Sequence, residues 1–362
     1  LWVLDRAGLA SQTKRIVAPG QEATFQWKMV TTWPKNLPGL GSAGENFARH
    51  VEAMSAGRLK VHVYGAGEVV PAFEVFDAVS QGVAQVGHGA SYYWKGKIPA
   101  AVFYTAVPFG MTAQEMNGWL HYGGGLELWR ELYAPFGVVP YAGGSTGVQM
   151  AGWFNKELGS ADDLQGLKMR IPGLAGEVFD AAGGTAVRIA GGEIYTSMQT
   201  GVIDAVEWVG PYNDRTLGLN EVAKYYYYPG WHEPGAMLEF IINEDALAEL
   251  PDDLKAIVAI ATRAANQDML DEFTARNNEA LRSLLASGGS ELRQLPDDVL
   301  ELLYEKSVEA MDRLIARDPM AAKIQASYGA FEADVRAYHD ISERAYLNAR
   351  DKVLLKSSSR SP

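Results

Sequence analysis

Phe25, Trp27, Met29 and Thr31 alternate with less apolar neighbours, the period-two pattern of a strand, and Thr32-Trp33-Pro34 ends it. A helical stripe of Phe47, Val51 and Met54 follows over Asn46 to Ala56, closed by Gly57. Leu59 to Tyr64 is predicted as the second strand, Phe73 to Ser80 as the second helix and Val83 to Gly89 as the third strand, which makes a βαβαβ unit. Further on, Ala113 to His121 and Leu126 to Ala134 read as helices. Val138 to Ala142 and Gly147 to Trp153 read as strands, the latter as the first crossing between two domains.

The same order recurs between Ser160 and Trp208. Leu167, Met169 and Ile171 alternate with Lys168 and Arg170, Pro172-Gly173 stops that strand, and two helices ending in glycine lead to a buried run from Ile203 to Val206. Arg170 and Glu207 therefore both sit where strands end, the edge at which open α/β sheets bind ligands. A planar guanidinium there can grip a carboxylate with two parallel hydrogen bonds, whereas a carboxylate there needs a cation, a donor or a metal. Tyr92, Tyr93 and Trp94 follow another strand end and are candidates for walls of the same site. Gln149 is a neutral oxygen donor on the expected crossing strand. Glu239 is the one charge in the otherwise apolar run Ala236 to Ile242, and is a site candidate unless it lies on an edge facing water.

Composition narrows the chemistry. The chain has 362 residues, 48% hydrophobic and 21% charged, enough for two domains of an ordinary globular protein, with no apolar run of about 18 residues to span a bilayer. A formal charge of −12 argues against nucleic acid or an anionic membrane as partner, and the lack of any cysteine excludes disulfides and thiolate chemistry. Gly143-Gly144-Ser145-Thr146-Gly147 matches a hydrolase nucleophile elbow, but a strand rather than a helix is predicted after it. Gly65-Ala66-Gly67 has Val70 where a dinucleotide loop needs its third glycine, and the six histidines lack zinc-site spacing. What is left has binding character.

Two long motifs, Ser-Ala-Asp-Asp-Leu-Gln-Gly-Leu-Lys-Met-Arg-Ile-Pro-Gly from Ser160 and Gly-Glu-Ile-Tyr-Thr-Ser-Met-Gln-Thr-Gly-Val-Ile-Asp-Ala-Val-Glu ending at Glu207, resemble the signature of TRAP-transporter extracytoplasmic substrate-binding proteins (DctP family), in particular their α-keto-acid-binding members. The resemblance runs from about Phe25 to beyond Ala322. It implies a periplasmic-binding-protein-like α/β fold, with two lobes around a cleft and a long C-terminal helix. The implied function is transport rather than catalysis: binding of a small 2-oxo monocarboxylate, pyruvate or longer, in the periplasm, for the membrane subunits of the transporter. It also implies that Arg170 holds the substrate carboxylate beside Tyr92, Tyr93, Trp94, Gln149 and Trp208, while Gln149, Glu207, Trp208 through its backbone carbonyl, and Glu239 surround a cation. Charge counting favours calcium for two carboxylates, whereas the resemblance favours sodium, which is the expected ion with calcium as the alternative. A metal-dependent lyase or aldolase acting on 2-oxo acids is the alternative use of such a set.

The expected organisation is a flexible tail over 1–20, a first lobe over 21–145 completed by about 232–275, and a second over 146–231 completed by about 276–318. Strands near Gln149 and Glu239 would link the lobes. Leu250-Pro251-Asp252-Asp253 and Leu295-Pro296-Asp297-Asp298 both open helices, with proline early and acids in the first turn. Ile324, Tyr328, Phe331, Val335 and Tyr338 recur at heptad spacing on a helix over 319–355, expected to join a homodimer, before a disordered tail over 356–362. No secretory signal is expected in residues 1–20, whose longest apolar run is Trp2-Val3-Leu4.

Overall fold

A computed structural model describes residues 24–358. The expected tail at 1–20 therefore lies outside the described residues, as do 359–362, whereas 356–358 close the last helix instead of being disordered. The eleven strands are β1 (Phe25–Thr31), β2 (Leu59–Tyr64), β3 (Val86–Gly89), β4 (Val138–Ser145), β5 (Gly152–Phe154), β6 (Lys168–Arg170), β7 (Thr185–Val187), β8 (Ala205–Val206), β9 (Tyr225–Tyr228), β10 (Met237–Asn243) and β11 (Glu291–Gln294).

They form two sheets. The first has the order β2-β1-β3-β10-β4 and the second β11-β9-β5-β8-β6-β7. In each, the strand entering straight after a crossing runs antiparallel to both its neighbours, β10 against β3 and β4, and β5 against β8 and β9. The remaining pairs within each sheet are parallel, as the two βαβαβ readings require. No described helix is long and apolar enough to cross a membrane.

The crossings are not strands. Residues 146–151 and 229–236 form two irregular connections bonded to each other, by Thr146 N–H to Ala236 C=O at 3.1 Å, Gln149 N–H to Glu233 C=O at 3.1 Å, and Gly230 N–H to Gln149 C=O at 3.0 Å. Backbone groups spent this way cannot join a sheet ladder, so the strand expected from Gly147 starts only at Gly152. The approach is close enough that a Cβ on residue 230 would lie 2.2 Å from the Gln149 carbonyl oxygen, which requires glycine there. Glu239 does not mark a crossing. It lies inside the first sheet, opposite Gly89 and Ala142.

The helix Asp252–Ala286 opens after Pro251 as expected, and its 35 residues extend ~52 Å. It packs on β4 and on the helix Leu40–Met54 of the first lobe, and also on Pro211–Thr216 of the second, where Asn277 accepts from Tyr212 N–H at 3.0 Å. The C-terminal stripe divides. Ile324 and Tyr328 are buried against the first lobe, where the Tyr328 hydroxyl accepts from Met111 N–H at 2.8 Å, whereas Tyr338 is 64% exposed. The long C-terminal helix expected is present, broken once at Ser342 into Pro319–Ile341 and Glu343–Ser358. One apolar core runs through both lobes, and a second lies under the outer face of the first sheet around Met29, Phe47, Val86 and Phe240.

Candidate functional site

Arg170 ends β6 between the lobes with only 1% of its surface exposed. Its Nε donates to Ile189 C=O at 3.1 Å, its Nη1 to the backbone carbonyl of Glu207 at 3.1 Å and to Glu207 Oε1 in a short ion pair, and its Nη2 to the Tyr93 hydroxyl at 3.2 Å. The guanidinium lies 5.0 Å from the centroid of the Trp208 ring, a cation–π contact. Burial opposes its charge, but Glu207 with Tyr93 and Tyr92 outweighs burial and raises its pKa, so the arginine stays charged.

Glu207 follows β8 and is fully buried, with its second oxygen 3.2 Å from His232 Nε2. Gln149, on the first connection, donates from Nε2 to Glu233 Oε2 at 2.7 Å and to Thr146 Oγ at 3.2 Å, and leaves its Oε1 buried with no hydrogen-bond partner. Ligand atoms of Glu207, His232 and Glu233 all lie within 4.8 Å of one another. Burial, and next the charge of Glu207, push the Glu233 carboxyl well above its ordinary pKa, opposed by Arg170 and the Tyr92 hydroxyl. Two buried carboxylates and one unpartnered amide oxygen around a single arginine form a hard-oxygen set short of positive charge, which a sodium or calcium ion fits.

Arg170, Gln149 and Glu233 open on one small cavity between the lobes, with Glu207 and His232 behind its lining. The first lobe lines it with Trp33, Leu40, Tyr92, Tyr93 and Leu238, the connections with Thr146, Gln149 and Glu233, and the second lobe with Arg170, Trp208 and Val209. Trp33 is held from behind, because its Nε1 donates to His88 Nδ1 at 2.9 Å and His88 Nε2 donates to Gly143 C=O at 2.9 Å. Burial lowers the His88 pKa to about 4, so the ring is neutral and its two nitrogens take distinct roles. The lobes meet directly at Trp33 and Trp208, whose rings stand edge to face at 6.1 Å, and at Gly173, whose missing side chain lets Tyr92 approach. A wider groove between the helices Asp252–Ala286 and Pro211–Thr216 is lined by exposed or half-buried residues apart from Ala280.

Of the residues singled out in the sequence, Tyr92, Tyr93, Gln149, Arg170, Glu207 and Trp208 come together here. Trp94 and Glu239 do not. Both lie outside the cavity lining, and Glu239 accepts hydrogen bonds from Trp94 Nε1 at 2.5 Å and from the Tyr133 hydroxyl at 2.9 Å within the first lobe. Its buried carboxyl finds two donors rather than a cation, and burial raises its pKa to about 8 against those two bonds. The carboxylate beside Gln149 is Glu233, which sequence reasoning missed. The signal available was an acidic residue in the aperiodic stretch Pro229-Gly-Trp-His-Glu-Pro-Gly, which has turn residues at both ends.

Two α/β lobes, two bonded connections and a buried arginine in the cleft are the architecture of a solute-binding protein, a receptor and not an enzyme. The pattern of the bacterial extracellular solute-binding proteins, family 7 (DctP), matches residues 29–318, and the chain belongs to that family. A monocarboxylate 2-oxoacid-binding periplasmic protein of Nostoc sp. is 41% identical over 355 residues, covering 96% of this chain and 97% of its own. The crystal structure of a TRAP periplasmic solute-binding protein of Pseudoalteromonas atlantica, with bound sodium and pyruvate, is 41% identical with a TM-score of 0.87, over 90% of this chain and 99% of that one. A TRAP solute-binding protein of Bordetella bronchiseptica, a mixed-occupancy dimer with copurified calcium and picolinate, is 36% identical with a TM-score of 0.91, over 93% of this chain and 100% of that one. The enzyme alternative, a lyase or aldolase, has no support in these comparisons.

Proposed function

We propose that the cleft binds a small 2-oxo monocarboxylate together with a cation, and that this chain carries the ligand through the periplasm to the membrane subunits of a TRAP transporter. One observation carries the reading: Arg170, Gln149 and Glu233 line a single cavity between the lobes, and Glu207 stands against Arg170 with a ligand atom within 4.8 Å of those of His232 and Glu233. Arg170 matches a ligand carboxylate, and the unpartnered Gln149 oxygen with the two glutamates matches the cation, with the Trp208 backbone carbonyl completing the protein's share. When bound, the cation supplies positive charge to the glutamates and to the ligand's 2-oxo oxygen.

The ligands named for two relatives share that chemistry. Pyruvate and picolinate each place a donor atom on the carbon next to the carboxylate, so either can grip arginine and chelate an ion at once. Leu40, Val209 and Leu238 line the same cavity, and Arg170 is its one permanent cation, which supports a ligand with one carboxylate and an apolar remainder. Residues 146–151 and 229–236 would act as the hinge on which the lobes close.

The test is calorimetric titration of pyruvate into chelator-treated protein, repeated in sodium and in calcium salts. Heat that depends on the cation supports the reading. Equal affinity in all buffers removes the ion, and absence of binding in every buffer removes the 2-oxo acid.

The face beyond Tyr338 supports a homodimer. Ile341, Tyr346 and Val353 are 77%, 66% and 66% exposed, an apolar row along consecutive helices that a second copy would cover.

A further inference from the structure

Resting on the proposed 2-oxo-acid and cation site, we propose that Glu207 is a switch on Arg170: on the guanidinium it occupies the seat of the substrate carboxylate, and it vacates that seat by turning to the cation set.

The donors of Arg170 set the argument. A guanidinium has five N–H groups, and four of them are engaged with described residues: one on Ile189 C=O, two on Glu207 and one on the Tyr93 hydroxyl. A two-point grip needs two donors on one edge, and only one N–H of Nη2 is uncommitted among the described residues. The Ile189 and Glu207 carbonyls belong to the backbone and are fixed by the strands and turns that carry them. The Glu207 carboxylate belongs to a side chain, and it holds an Nη1 donor that a ligand carboxylate needs for a two-point grip. Of the two side-chain contacts that can yield without moving the fold, it and the Tyr93 hydroxyl, it is the one that carries the charge of a carboxylate.

Its alternative position is close. While Oε1 is on Arg170, Oε2 is on His232 Nε2, and ligand atoms of His232 and Glu233 lie within 4.8 Å of those of Glu207. Rotation about the side-chain bonds, with the His232 contact as pivot, carries Glu207 from the arginine toward Glu233, to which Gln149 is bonded. Neither state leaves a buried charge alone: Glu207 faces Arg170 in one and the cation in the other, while Arg170 then faces the ligand. The ion thereby acts on ligand affinity through the arginine as well as through direct contact, a positive coupling between two ligands of one cleft.

Glu207→Gln removes the competing carboxylate and the ion's hold on it together. Pyruvate should bind this variant in sodium-free, chelator-treated buffer at least about tenfold more tightly than it binds the wild type in that buffer, and added sodium or calcium should change its affinity by less than about threefold. Glu233→Gln removes a carboxyl that lines the cavity without freeing Arg170, so its gain in ion-free affinity should be at least about threefold smaller than that of Glu207→Gln. If both variants gain equally, loss of a carboxyl near the ligand rather than release of Arg170 accounts for the gain, and the switch is overturned. It is equally overturned if Glu207→Gln gains nothing in the ion-free buffer or keeps the wild-type ion dependence. Should Glu207→Gln fail to fold, Glu207→Asp keeps the charge on a shorter arm that releases Arg170, and the ion-free gain is read there. Wild-type protein that takes up no pyruvate in any salt overturns the 2-oxo-acid reading itself, and the switch with it.

Discussion

Gln149 Nε2 donates to Glu233 Oε2 at 2.7 Å, and this bond ties together the two connections between the lobes. Two of the residues proposed to hold the ion, Gln149 and Glu233, are thus carried by the segments proposed as the hinge. Glu233→Gln should lower cation affinity by about tenfold or more, ~1.4 kcal/mol, and pyruvate affinity in cation-containing buffer with it. Calorimetric titration of sodium or calcium into the variant checks this, and unchanged ion affinity would remove Glu233 from the set.

Arg170→Lys keeps the charge and loses the planar fork, together with the contacts to Ile189 and Tyr93. Pyruvate affinity should fall by roughly ten- to a hundredfold, ~1.5–3 kcal/mol for charge-assisted hydrogen bonds. Equilibrium titration followed by tryptophan fluorescence reads the loss, since Trp208 lies against the guanidinium.

Glu239→Gln should leave pyruvate and cation affinity within about twofold of wild type, because Glu239 is bonded to Trp94 and Tyr133 away from the cavity. The substitution should instead change the pH dependence of stability. Unfolded, a glutamate loses its proton near its ordinary 4.5, and folded Glu239 keeps it to about 8. The folded state holds the extra proton between those values, so this group makes stability fall as pH rises through the window, by up to ~1.4 kcal/mol per pH unit. Asp214, raised to about 7 by burial, acts in the same direction. Urea unfolding at pH 5, 6, 7 and 8 should give a shallower decline for the variant than for wild type, and identical slopes would refute the assignment.

His88 has the opposite sign. It stays neutral in the fold down to about pH 4, whereas the unfolded chain takes up the proton near 6.5. Stability from this group is complete above 6.5 and is lost as pH falls toward 4. The Trp33 contact to His88 should persist in the fold down to about pH 4 and be lost below it, visible as a change in tryptophan emission as pH falls through 4 that His88→Gln flattens.

A chain ending at Ser342 should remain folded, because Ile324 and Tyr328 keep their places against the first lobe, and it should be monomeric while the full chain is a dimer. Light scattering of the two proteins decides this. A full chain that is already monomeric would assign the exposed face another use.

Much of this was legible in the chain itself. Period-two runs ended by Pro or Gly located Arg170 and Glu207 at strand ends, because backbone stops are local properties of those residues. The helix openings at Pro251 and Pro296 are local for the same reason. The two motifs sufficed for the family. What the chain could not settle was which buried carboxylate lies beside Gln149. Glu239 and Glu233 both face the cost of burial, and sequence shows that cost without showing what relieves it. Only the tertiary structure supplies the answer, by packing Trp94 and Tyr133 against Glu239 and crossing the two connections so that Glu233 meets Gln149. The same holds for the strand expected from Gly147. Its apolar content allowed a ladder, but its backbone groups were claimed by a connection some 80 residues away in sequence, as in the Gln149–Glu233 pair with a separation of 84, and no local pattern records a partner at that distance.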